Sequence, residues 1–166
     1  MATLKLGEVV LDAAIAKLKA GYANRVSEIN TEKNDGITIT APDTTDFYLG
    51  GVSEIPRAPA VIVTQLPTQE DAEQEGPHSF IWVGVVGVYV LEEATDRQQL
   101  ARKLQRQIRA VVEILWDDSP QEALSGSAFM LKFVRDDPGP VSDPTDDSSF
   151  WRGFHSAFFR AHQSEN

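Results

Sequence analysis

The chain has 166 residues, of which 42% are hydrophobic, with no cysteine and a formal charge of -10. That is enough apolar material for one domain spanning 1–166, while the missing cysteines exclude disulfides, thiol catalysis and cysteine-ligated zinc. The acidic balance argues against a general nucleic-acid binder, because such proteins draw most of their affinity from basic groups that neutralise phosphates.

Residues 1–6 lack the basic start and apolar core of a secretory signal, and the longest apolar run is too short for a membrane-spanning helix. A soluble protein made in the cytoplasm, with no membrane partner, is expected. From about Glu8 to Glu32, Leu11, Ile15, Leu18, Tyr22, Val26 and Ile29 recur at spacings of three and four, which predicts an amphipathic helix. Asn34-Asp35-Gly36 is a turn signal, and the alternating, β-branched Ile37-Thr38-Ile39-Thr40 predicts a short strand closed by Pro42. Residues 41–59, with Gly50-Gly51, Pro56 and Pro59, read as a loop holding one short strand at most. Ala60 to Leu66 is a firm strand. Residues 67–77 form an acidic connection containing Glu70, Asp71, Glu73 and Glu75.

Ser79 to Leu91 is the most informative stretch: no charge, no proline, and apolar residues on both alternating sets, including Phe80, Trp82 and Tyr89. A strand with two apolar faces needs cover on both. Fully extended, its 13 residues reach about 43 Å at about 3.3 Å each, against a radius of gyration near 15 Å for a domain of this length. Phe80, Trp82 and Tyr89 are therefore candidate contacts with a neighbouring copy, and Gly84 and Gly87 are expected to bend the strand.

Ala94 to Asp117 reads as a second helix, with Leu100, Leu104, Ile108, Val111 and Leu115 on one face and Thr95 or Asp96 as the cap. Its outer face is basic through Arg102, Arg106 and Arg109, with Lys103 beside them. Two readings stand: a solvated face with local ion pairs, or a docking surface for an acidic neighbour. Ala128 to Val134 reads as a strand, and 135–149 as an acidic, proline-containing loop whose spacing matches no EF-hand. Phe150 to His162 suits either a strand or a helix face, and a strand beside Ala128 to Val134 is the preferred reading.

The three histidines, His78, His155 and His162, have no zinc-motif spacing, no glycine cluster forms a phosphate loop, and Ser125-Gly126-Ser127 does not complete a nucleophile elbow. No catalytic, cofactor-binding or metal residues are assigned. The expected fold class is α+β: a mainly antiparallel sheet of about four to five strands packed by two long helices.

This element order, and in particular Pro59-Ala60-Val61-Ile62-Val63 and the stretch from Val83 through Glu92-Glu93 into Arg97 to Leu115, resembles the tail terminator and tail-completion proteins of long-tailed bacteriophages. The resemblance implies a non-enzymatic virion protein. Six copies would form a ring at the top of the tail tube, stop its polymerisation and contact the tube protein and the head-tail connector, with DNA passing through the channel unbound. Another neck component, such as a head-closure or stopper protein, shares the texture. A different class, a ligand-binding or enzymatic domain, would place its pocket under the 41–59 loop with Tyr48 and Arg57.

Overall fold

The computed structural model describes residues 8–50, 57–66, 80–116, 129–144 and 149–164, among which two helices and five strands form. In chain order these are α1 (Glu8–Lys33), β1 (Phe47–Leu49), β2 (Ala60–Leu66), β3 (Phe80–Ala94), α2 (Arg97–Leu115), β4 (Phe129–Ser142) and β5 (Trp151–Ser164). The strands form one sheet in the order β1-β2-β3-β5-β4. Only β1 is parallel to its neighbour; every other pairing is antiparallel. The fold is α+β, as the sequence predicts.

Both helices pack on the same face of the sheet. Leu18, Tyr22 and Ile29 of α1, and Ile108, Val111 and Leu115 of α2, join Val61 and Val63, Val86, Val88 and Val90, and Ala157, Phe159 and Ala161 in one buried cluster. These strand residues alternate, as a one-sided core requires. All five aliphatics predicted for the core face of α2 are buried, each contributing on the order of 1.5–3 kcal/mol. Asp96 is the N-cap, its carboxylate accepting from Gln99 N at 2.9 Å.

Three boundaries differ from the sequence reading. The strand expected at Ile37–Thr40 does not form. Ile39 is buried, but the side-chain amide of Asn30 accepts from its N–H and donates to its C=O, both at 2.9 Å, doing the work of a neighbouring strand. Second, β4 continues to Ser142, so Asp136, Asp137, Pro138 and Pro140 lie on a strand and not in the loop expected over 135–149. The prolines are tolerated because β4 is the sheet edge and its register shifts between Pro138 and Val141. Third, β3 runs through Glu92 and Glu93 to Ala94, so the second helix starts at Arg97 and not at the predicted Ala94.

Gly84 and Gly87 play different parts. Gly84 has φ 152 and sits where the β3–β5 register shifts after Trp82, so it is a bulge. Gly87 is a packing site: a Cβ there would lie 3.2 Å from Tyr89 and 3.3 Å from Leu66. The predicted acidic connection at 67–77 lies outside the described residues.

Candidate assembly surface

On β3, Val86, Val88, Val90 and Glu92 face the helices, which leaves Val85, Tyr89, Leu91 and Glu93 on the second face. Among the described residues no helix or strand packs there. Ile62, Leu66, Val85, Tyr89 and Phe154 are all half-buried; cross-strand pairing joins Ile62 with Tyr89 and Leu66 with Val85, and sets Phe154 beside Leu91, which like Phe158 is buried. Tyr89 meets Phe158 edge-on, with ring centroids 6.2 Å apart and an interplanar angle of 89°. The Arg135 guanidinium stacks 4.7 Å above the Phe158 ring. The result is a partly exposed apolar band across β2, β3 and β5. Tyr89, a candidate contact in the sequence reading, lies within this band. The backbones of Phe80 and Trp82 pair with Ser164 and His162 at the far end of β3, while their side chains lie outside what is described.

The three arginines do not form one basic outer face. They line the side of α2 that meets the C-terminal end of α1 and the turn after it, where Glu32 and Asp35 pair with them. Arg106 is buried at 5% exposure, its guanidinium donating to both oxygens of Asp35 and to the Ile37 carbonyl. Arg109 donates to Glu32 at 2.7 and 3.0 Å and to Glu113 at 2.7 Å. Arg102 alone stays largely exposed, with 63% of its side chain accessible and Asp35 at 3.7 Å. The acidic neighbour anticipated for this row is supplied by the chain itself. The docking reading is corrected for Arg106, which closes the turn at Asn34–Gly36 and is inaccessible.

The pKa values follow these contacts. The Arg106 hydrogen bond pulls the Asp35 carboxyl down to about 2, and the Arg109 hydrogen bond lowers Glu32. Arg109 is raised in turn by its bonds to Glu32 and Glu113.

Sequence reasoning missed a buried polar chain between the layers. Tyr22 OH donates to Gln107 Oε1 at 2.5 Å; Gln107 Nε2 donates to Glu92 Oε2 at 2.8 Å and to the Thr40 carbonyl at 2.9 Å. Glu92 also accepts from the Glu93 N–H at 3.1 Å, and Lys103 Nζ lies 3.9 Å away. Burial raises the Glu92 carboxyl, and burial followed by the Glu92 charge raises the Tyr22 phenol. A recess of about 300 Å³ opens beside Glu92 and Lys103, but both Glu92 oxygens are already bonded within the protein. The signals were present: Gln107 interrupts the apolar stripe of α2 between Leu104 and Ile108, and Glu92 continues the inward alternation of β3.

Tyr48 and Arg57, the residues of the ligand-pocket reading, both turn to Asp46. The Tyr48 hydroxyl lies 3.3 Å and Arg57 Nε 2.6 Å from its carboxylate, and Arg57 also pairs with Asp43 at 3.2 Å. They form a closed ionic cluster that ties the β1 loop to the start of β2. His155 is buried with its Nε2 2.7 Å from Asp136 Oδ2. Among the described residues no group of three or more histidines, aspartates or glutamates is placed to hold a metal ion.

No protein-family model matches the chain, and no curated protein is significantly similar to it.

Proposed function

We propose that this chain is a structural assembly subunit, a bacteriophage tail terminator whose copies close into a ring on the end of the tail tube. The ring halts tube growth and presents its other side to the head-tail connector, and DNA passes through its channel unbound. Six copies are expected, in the virion neck after assembly in the host cytoplasm. The observation that carries the reading is the half-exposed apolar band of Ile62, Leu66, Val85, Tyr89 and Phe154, on the sheet face opposite both helices. A band of this kind marks a surface that gains free energy when covered, at roughly 25 cal/mol per Å² of apolar area. Further support comes from the texture shared with the terminator family, and from Tyr48, Arg57 and Glu92 being bonded within the chain rather than directed at a substrate.

The direct test adds the purified protein to polymerising tail tubes and images the products by electron microscopy. Capped tubes of limited length, each ending in a ring, support the reading. Tubes that grow undiminished with bare ends refute it, and a ring located between connector and stopper would instead identify another neck component.

A further inference from the structure

Lys132 of β4 and Arg160 of β5 are direct cross-strand partners on the face opposite the helices. Like charges placed opposite each other in a sheet repel. Neither has an ion-pair partner among the described residues, although the chain carries ten more acidic than basic groups. Beside them Val134, at the bulge after Phe133, is 45% exposed, and Arg135 lies next along the strand. The same cross-strand row continues inward through Val85 to Leu66, so this basic corner is the end of the apolar band.

A patch of opposite character lies at the same end of the molecule. Glu8 and Asp12, four residues apart on α1, are exposed like-charge neighbours with no ion-pair partner among the described residues, and Val9 between them is 49% exposed. Glu8 suits the helix N-terminus; Asp12, a turn further on, gains little from it. The next residues of α1, Val10 and Leu11, line a small cavity with Val86 and Ala161, which puts the start of α1 over the helix-covered face. Ala161 follows Arg160 and pairs with Leu131, the neighbour of Lys132. Successive strand residues point to opposite faces, so the acidic patch and the basic patch lie back to back across one end of the sheet.

We infer that Lys132 and Arg160 of one copy dock onto Glu8 and Asp12 of the next. Two complementary patches on opposite faces cannot both be satisfied by a two-fold dimer, so the contact is heterologous and propagates from copy to copy until it closes. This rests on the reading of the chain as a self-assembling subunit and assigns the surfaces that would join.

The experiment uses charge reversal in the full chain, with folding checked by circular dichroism and assembly measured by native mass spectrometry and sedimentation velocity. K132E/R160E and E8K/D12K should each fold yet self-associate at least roughly ten-fold more weakly than the parent. An equimolar mixture of the two, and a single chain carrying all four reversals, should recover assembly because every interface again pairs opposite charges. A parent that assembles while both double variants assemble equally well overturns this interface and leaves the ring standing. Loss of assembly in folded double variants without recovery in the four-fold variant overturns the pairing of these two patches. A parent that forms only a closed two-copy species overturns the heterologous contact, and a parent that stays monomeric at high concentration overturns this inference and the assembly reading together.

Discussion

Replacing Gln107 with leucine tests whether the buried polar chain organises the two layers. Leucine fits the volume but supplies none of the amide's three bonds. The Tyr22 hydroxyl, on a residue 1% exposed, loses its acceptor at 2.5 Å and keeps only the residue-107 backbone carbonyl at 3.5 Å, too long for a good bond, and the Glu92 carboxylate, on a residue 3% exposed, loses a donor at 2.8 Å. The Thr40 carbonyl lies on an exposed residue and can turn to water. Stranding a buried polar group costs about 1–3 kcal/mol, so two such groups predict a loss of about 2–6 kcal/mol. That is a large share of the roughly 5–15 kcal/mol that holds a domain folded. Urea denaturation followed by fluorescence should show the midpoint fall with the slope unchanged. Tyr22→Phe removes one stranded group, so Y22F/Q107L should lose less than the sum of its single variants, by about 1 kcal/mol or more. A Gln107→Leu loss below about 1 kcal/mol, or strict additivity in the pair, would refute the reasoning.

Asp35 and Glu32 have depressed pKa values in the folded chain. Their stabilisation is therefore complete above the unfolded carboxylate range near pH 4 and is lost as pH falls towards about 2 for Asp35. Arg106→Met should flatten that acid limb in pH-dependent denaturation; a limb of unchanged steepness would contradict the assignment. Glu92 has the opposite sign. Its raised pKa means the protonated form favours folding, so its contribution declines as pH rises from about 4.5, and Glu92→Gln should remove that decline in the same titration. Gly84→Ala forces a side chain onto φ 152 and should destabilise by about 1–3 kcal/mol in thermal denaturation, with no loss expected only if the bulge relaxes. Tyr89→Ser, which trims the centre of the apolar band, should weaken self-association in sedimentation while leaving a cooperative unfolding transition; intact association would remove Tyr89 from the interface.

The regular elements were legible because each carries a period that survives in the fold. The stripe from Leu100 to Leu115 is the core face of α2, and the strand read over Ala60 to Leu66 forms with those bounds. Two features were hidden for a common reason, the dependence of a residue's role on what lies across from it. Ile37–Thr40 has a strand's alternation but no strand beside it, and Asn30 takes the neighbour's place. Pro138 and Pro140 argue for a loop in any central strand, and only the placement of β4 at the edge admits them. The arginines of α2 show the same dependence at the candidate surface. Their spacing was readable, but their partners Glu32 and Asp35 come from the end of α1 and the turn after it, more than 60 residues earlier. A triple change of Arg102, Arg106 and Arg109 to glutamate therefore cannot separate assembly from folding, whereas Arg102→Glu alone can.

The central claim, that copies of this chain cover one another's exposed apolar surface, is tested most directly by native mass spectrometry of the purified protein across a range of concentrations, with electron microscopy of the same samples. A discrete closed species, with six copies as the expected number and a ring outline in projection, is the predicted result. A strict monomer at every concentration, with no ring on tail tubes mixed with it, would contradict it.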